Sequence, residues 1–326
     1  MEIQQYFERL IEEAIAVQAS DIYVLPTDET HYAADFKTAG GLIKRAPIVN
    51  SLAKQLILYA KFKGDMDIAE TRRPQVGQIK FDTKQSVYLR LSTVGDYQQR
   101  ESLVCRLIYD NRHARPRFVL PEQFDQLLQE TKLSGLIVFA GPMGSGKTST
   151  IYALARQLAD QQKLVLAIED PIEIHEPNFL QLQVNGQAEM PYADLIKVGL
   201  RHRPDVFIIG EIRDQVTAKA AINAALSGHL VLTTIHARSA YGVLARLLDL
   251  GIEEHFLRAT LNTIVYQRLL SLKDGEQGAL QHQVSGQQIW ETDVDVNRKW
   301  GELVEKALET GQISTATQAQ YEKIIS

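Results

Sequence analysis

Gly141-Pro142-Met143-Gly144-Ser145-Gly146-Lys147-Thr148 is a full G-x-x-x-x-G-K-[ST] pattern, and its reading decides the fold. Glycines let a tight loop turn its backbone N–H groups inward around a triphosphate. Lys147 is expected to reach the β and γ oxygens and Thr148 to hold Mg²⁺ through its hydroxyl, with Ser149 beside it in the phosphate contact set. ATP is the expected nucleotide. The setting is the required one. Leu136 to Ala140 is an apolar run that reads as a buried strand, and Ile151, Leu154, Ala155 and Leu158 place one apolar face on a helix that follows the loop.

Working outward, residues 120 to 251 alternate helix and strand. Helices are expected over 122–131, 148–160, 192–201 and 217–227, and strands over 136–140, 164–169, 206–210 and 230–235. This order implies an α/β fold with a mostly parallel sheet, whose ligands bind at the carboxyl ends of the strands. Upstream, an amphipathic helix within residues 1–18 precedes strand-like pieces at 21–25, 31–36, 77–81, 87–92 and 103–109, with a helix at 48–62, which reads as a small α+β domain over 1–108. Residues 109–118 are the expected linker, polar and basic with Arg112, His113, Arg115 and Arg117. Downstream, residues 256–270 read as one helix, the Gln- and Gly-rich 277–288 as a loop, and 297–308 and 315–325 as two helices, so 271–326 is expected to be a C-terminal helical extension.

The 326 residues, 45% of them hydrophobic and 23% charged, are ordinary for a globular chain, and the net charge of −5 argues against a broad nucleic-acid-binding surface. One cysteine, Cys105, excludes an intramolecular disulfide and a cysteine-rich zinc site, and its apolar neighbours Leu103 and Val104 suit an inert core thiol. No segment approaches the ~20 apolar residues of a membrane span, so a cytoplasmic protein without a transmembrane segment is expected.

Three further segments fall at strand ends where a nucleotide would lie. Glu169, Asp170 and Glu173 form an acidic box suited to Mg²⁺ or to an attacking water. Val206 to Ile209 lead to Gly210 and then Glu211, a carboxylate placed to polarise the water that attacks the γ-phosphate; a plain ion pair with Arg213 is the alternative. His229 flanks a strand whose far end carries Thr233, Thr234 and His236, and either histidine can donate a hydrogen bond to the γ-phosphate. His229 and Glu173 join Glu211 and Lys147 as candidate catalytic residues.

The four boxes, in this order and spacing, resemble the secretion ATPase superfamily of type II secretion and type IV pili. Ala19-Ser20-Asp21-Ile22, Arg72-Arg73-Pro74-Gln75 and Gln267-Arg268-Leu269 extend the similarity over about residues 15 to 270. The resemblance implies a RecA-like P-loop ATPase domain over 119–270 behind a PAS-like N-terminal domain. It also implies a homo-hexameric ring with ATP between subunits, and arginines of the N-terminal domain, here Arg90 and Arg106, completing the site in trans.

Departures narrow the subfamily. One cysteine cannot supply the two Cys-x-x-Cys pairs of general secretion and pilus-extension members, the extra N-terminal domain of longer members is expected to be absent, and residues 35–42 deviate from the usual arginine-containing pattern. The tail lacks the acidic-arginine helix associated with retraction enzymes. The closest likeness is therefore to the assembly ATPases of Gram-positive competence pili. These imply a motor for DNA uptake, peripheral at the cytoplasmic membrane face, that acts on a polytopic membrane platform protein and uses ATP and Mg²⁺ without zinc or direct nucleic-acid contact. The alternatives are a retraction or type II secretion ATPase, a DNA-translocating ATPase and an inactive scaffold.

Overall fold

The computed structural model describes residues 2–38, 40–81, 87–109, 116–184, 190–291 and 294–323. Two compact units result, Met1–Arg112 and His113–Ser326. Of the expected linker, Arg112, His113 and Arg115 lie outside the described residues, as does the end of the expected helix at 315–325.

The first unit opens with α1 (Ile3–Ala16), where Phe7, Leu10, Ile11 and Ala14 recur every three or four residues and bury one stripe. Strands β1 (Asp21–Pro26), β2 (His31–Thr38), β3 (Gly41–Ile43) and β4 (Ile48–Val49) follow, then α2 (Asn50–Lys63), β5 (Gln75–Phe81), β6 (Val87–Gly95) and β7 (Glu101–Tyr109). They form an antiparallel sheet ordered β3-β2-β1-β7-β6-β5, with β4 also on β2. Strict alternation buries Val87, Leu89 and Leu91 of β6 and Leu103, Cys105 and Leu107 of β7 in one core with α1 and α2. The Cys105 thiol is pushed far above its ordinary range by burial and then by Asp21, as an inert core thiol requires. Arg90 and Arg106 are cross-strand partners on the other face, and Arg106 Nε donates to Asp21 Oδ1 at 2.8 Å. Lys61 is fully buried yet compensated, donating to the Glu70 carbonyl at 2.7 Å and to Glu101 at 2.8 Å.

The second unit runs α3 (Glu122–Glu130), β8 (Gly135–Ala140), α4 (Lys147–Asp160), β9 (Val165–Glu169), β10 (Leu180–Gln183), α5 (Tyr192–Arg201), β11 (Val206–Ile209), α6 (Gln215–Leu226), β12 (Leu230–Ile235), α7 (Ala240–Asp249), α8 (Glu254–Thr260), β13 (Leu261–Ser271), β14 (Gln277–Ser285), α9 (Val296–Glu309) and α10 (Thr315–Tyr321). Its seven-stranded sheet is ordered β10-β9-β11-β12-β8-β13-β14. All pairings are parallel except β13 with β14. Every residue of β8, β9, β11 and β12 is buried, because helices cover both faces. Ile137, Phe139, Ile208 and Leu232 pack with α3 and α4, while Leu136, Val138, Phe207 and Val231 pack with the helices of the opposite layer.

Two expectations fail at the far edge. Residues 256–270 are not one helix, since the chain leaves α8 at Thr260 and continues as β13, where Thr263, Ile264 and Val265 pair with β8 on one side and β14 on the other. Partner strands and a β-branched run override an apolar pattern that also fits a helix. Residues 277–288 are not a loop. They supply β14, whose Gln281 is hydrogen-bonded to Gln267 of β13 and accepts from Gln283, so the tail after residue 270 is not wholly helical. Helix α7, capped by Ser239 accepting from Gly242 N, goes unforeseen in the sequence.

Candidate active site

Between the end of β8 and the start of α4 the loop 141–146 has the geometry its glycines permit. Gly141 has φ +143°, and a Cβ there would come within 2.2 Å of the Gln267 carbonyl oxygen, so only glycine fits this turn against β13. Lys147 opens α4 and donates Nζ to the carbonyls of Gly141 at 3.0 Å and Pro142 at 2.9 Å. Burial lowers its pKa, and Glu211 and Glu173 oppose that shift as nearby negative charges. Thr148 and Ser149 follow in the first turn of α4, where free backbone N–H groups and the helix dipole favour an anion. Ser145 Oγ is buried here without a hydrogen-bond partner among the described residues, as a cradle for a polar ligand would leave it.

Glu211 lies just beyond β11. Its carboxylate accepts from Arg213 Nε at 2.8 Å and lies 3.0 Å from His236 Nε2, at the carboxyl end of β12. The strand ends are fastened to each other: Thr234 Oγ1 donates to the Gly210 carbonyl at 2.7 Å and Ile212 N to the Thr234 carbonyl at 2.8 Å. At Gly210 a Cβ would stand 2.9 Å from the Tyr192 hydroxyl and 3.4 Å from Glu169, so a side chain there requires Tyr192 to shift.

The acidic box is not a cluster of open metal ligands. Glu169 ends β9 buried, accepting from the Tyr152 hydroxyl at 2.6 Å, and burial raises its pKa to about 7 against the lowering effect of that hydrogen bond. Asp170 faces Arg213 at 3.4 Å. No group of three or more acidic, histidine or cysteine side chains among the described residues is arranged to hold a metal. Of the rest of the expected set, Thr148 lies in the first turn of α4 and the exposed Glu173 is close enough to Lys147 to act on it as a nearby negative charge.

His229 is misplaced by the sequence reading. It precedes Leu230, which pairs with Gly135 at the opposite end of β8 from the loop, about 20 Å away for six residues at about 3.3 Å each. Its Nδ1 lies 2.8 Å from the Pro204 carbonyl and its ring packs edge-on to Phe207, which are structural contacts. Of the two histidines only His236 reaches the Glu211 end. Tyr152 has no local signature as a site residue, since it reads as one more apolar position of α4.

The family model described as "Type II/IV secretion system protein" matches residues 1–302. The chain is similar to the "Competence protein ComGA" of Streptococcus pneumoniae, at 37% identity over 99% of both chains. The protein of the same description from Bacillus subtilis is 38% identical over 83% of this chain and 77% of its own length. In fold it is similar to the pilus retraction motor PilT, with TM-score 0.72 and 23% identity over 96% of each chain. The ATPase DotB of Legionella pneumophila gives TM-score 0.72 and 21% identity over 97% of this chain and 94% of its own.

Proposed function

This chain belongs to the type II/IV secretion system protein family, and from that premise we propose that it is an ATP-hydrolysing motor for assembly of a competence pilus used in DNA uptake. The observation that carries the reading is Glu211, set between Arg213 and His236 at the same edge of the sheet as a complete phosphate loop. In this reading loop N–H groups and Lys147 hold the β- and γ-phosphates, Lys147 exchanging its two carbonyl partners for phosphate oxygens. Glu211 orients the attacking water and takes up its proton, while Arg213 and His236 fix the carboxylate's direction. Mg²⁺, when bound, supplies charge neutralisation, and Thr148 with Glu173 are the residues that fit it.

The second unit is taken as RecA-like and the first as PAS-like, with boundaries near residues 108 and 118. The active form is a homo-hexamer in which Arg90 and Arg106 of a neighbouring subunit close the site, and the ring works at the cytoplasmic membrane face on a polytopic platform protein. The length-matched similarity to competence proteins supports this reading. No helix among the described residues is long and apolar enough to cross a membrane.

Deletion of the gene in its own organism tests the biological assignment. Transformation and pilus assembly are expected to be lost together. Pili that assemble but fail to withdraw would reassign the motor to retraction, and salt-dependent DNA binding by the purified hexamer would point to translocation.

A further inference from the structure

Beneath the phosphate loop lies a chain of four glutamines that the hydrolysis mechanism does not use. Gln267 on β13 and Gln281 on β14 are fully buried, and Gln123 on α3 is nearly so. Gln267 Nε2 donates to the Ser145 carbonyl at 2.7 Å, and its Oε1 accepts from Thr150 Oγ1 at 2.9 Å and from Gln281 Nε2 at 2.7 Å. Gln281 Oε1 accepts from Gln283 Nε2, which also donates to the Gln123 carbonyl, both at 2.7 Å. The Gln123 amide pairs with both backbone groups of Gln281.

The direction of this chain is fixed at both ends by main-chain carbonyls, which can only accept. Ser145 O forces Gln267 Nε2 toward the loop, Gln123 O forces Gln283 Nε2 toward α3, and Gln281 then has one orientation that satisfies both neighbours. Gln267 therefore grips the loop at three points: its amide at Ser145, its Oε1 at the first turns of α4, and its own carbonyl against Gly141. A buried amide that loses one partner leaves the others unsatisfied, so the chain acts as a unit.

We propose that Gln267 is a positioning residue that sets the phosphate-binding shape of loop 141–146, and that Gln281, Gln283 and Gln123 lock its orientation from helix α3. Nucleotide affinity is then tuned by residues that never touch the nucleotide. This rests on the reading of the loop as the ATP site.

Binding of ATP to the full chain, measured by calorimetry beside steady-state hydrolysis, is the test, with Gln281→Met as the main variant and Lys147→Ala as control. Gln281→Met is expected to weaken binding and raise KM about 5- to 10-fold, one lost buried hydrogen bond's worth, with kcat at saturating ATP within about 2-fold. Adding Gln281→Met to Gln267→Met is expected to weaken binding no further than Gln267→Met alone, because both act through Ser145. A folded Gln281→Met protein with wild-type affinity and KM overturns the proposal, as does strict additivity. If Gln281→Met does not fold, the half-buried Gln283→Met decides by the same readouts. Wild type that binds no ATP, or binds it unchanged by Lys147→Ala, would instead sink the ATP-site reading.

Discussion

The two ends of the parallel sheet in the second unit are made by the same strands and carry opposite kinds of surface. At the carboxyl ends, Lys147, Glu173, Glu211, Arg213 and His236 converge on a glycine loop, with opposite charges in contact and a buried serine hydroxyl unsatisfied. At the amino ends lies a cavity of about 650 Å³ lined by Leu128, Lys132, Leu133, Lys163, Asp205 and Gly228. Polar groups around it already have partners: Asp205 accepts from Leu164 N at 2.9 Å, and His229 meets the Pro204 carbonyl. Volume alone does not mark a site. Convergent, incompletely satisfied polar groups do, and a parallel sheet gathers them at one end.

The sharpest way to break this contrast is Glu211→Gln. Hydrolysis is expected to fall about 10²- to 10⁴-fold, as for loss of a positioned base, with ATP binding retained; phosphate release at the wild-type rate would remove Glu211 from the chemistry. Next come the two histidines that flank β12. His236→Ala is expected to cost on the order of 10-fold in kcat through a misdirected Glu211. His229→Ala is expected to leave kcat within about 2-fold and to lower unfolding free energy by about 1 kcal/mol, the loss of one hydrogen bond. Equal kinetic effects from both would erase the difference between the ends.

Glu169 refines the upper end. Its folded pKa of about 7 stands above the ordinary 4.5, so the native state binds the extra proton and is favoured below pH 4.5. That contribution is lost as pH rises from 4.5 to about 7. Glu169→Gln is expected to flatten this part of the stability curve, measured by thermal melts across the window; an unchanged slope would mean that another group titrates. Smallest of all, Lys163→Ala at the lower end is expected to change stability by less than about 1 kcal/mol, since its 3.5 Å contact with Asp205 is exposed. A loss of ATPase activity there would give that cavity a role.

Much of this was legible from residue order. Contiguous apolar runs such as Leu136 to Ala140 and Val206 to Ile209 announce strands buried on both faces, and chain order then delivers Gly141 and Glu211 to one edge. His229 was readable by the same rule, since a residue that precedes a parallel strand stands at the opposite edge from one that follows its neighbour. The far edge was not. In Leu261–Ser271 the β-branched Thr263, Ile264 and Val265 are outweighed by a helix-compatible apolar pattern until β8 and β14 are beside it, and the glutamines of β14 look like loop composition until Gln267 and Gln123 satisfy them. Glu169 reads as an open carboxylate because the hydroxyl that claims it, Tyr152, lies 17 positions away.

Cys105, the chain's single sulfhydryl, sits in the core of the first unit with its ionisation suppressed. Maleimide dyes and thiol-reactive spin labels are attacked by accessible thiolates, so the native background is silent to them. A cysteine introduced beside Lys147 or on either half of the molecule would take a probe alone, so that local motion can be followed without first removing a native residue.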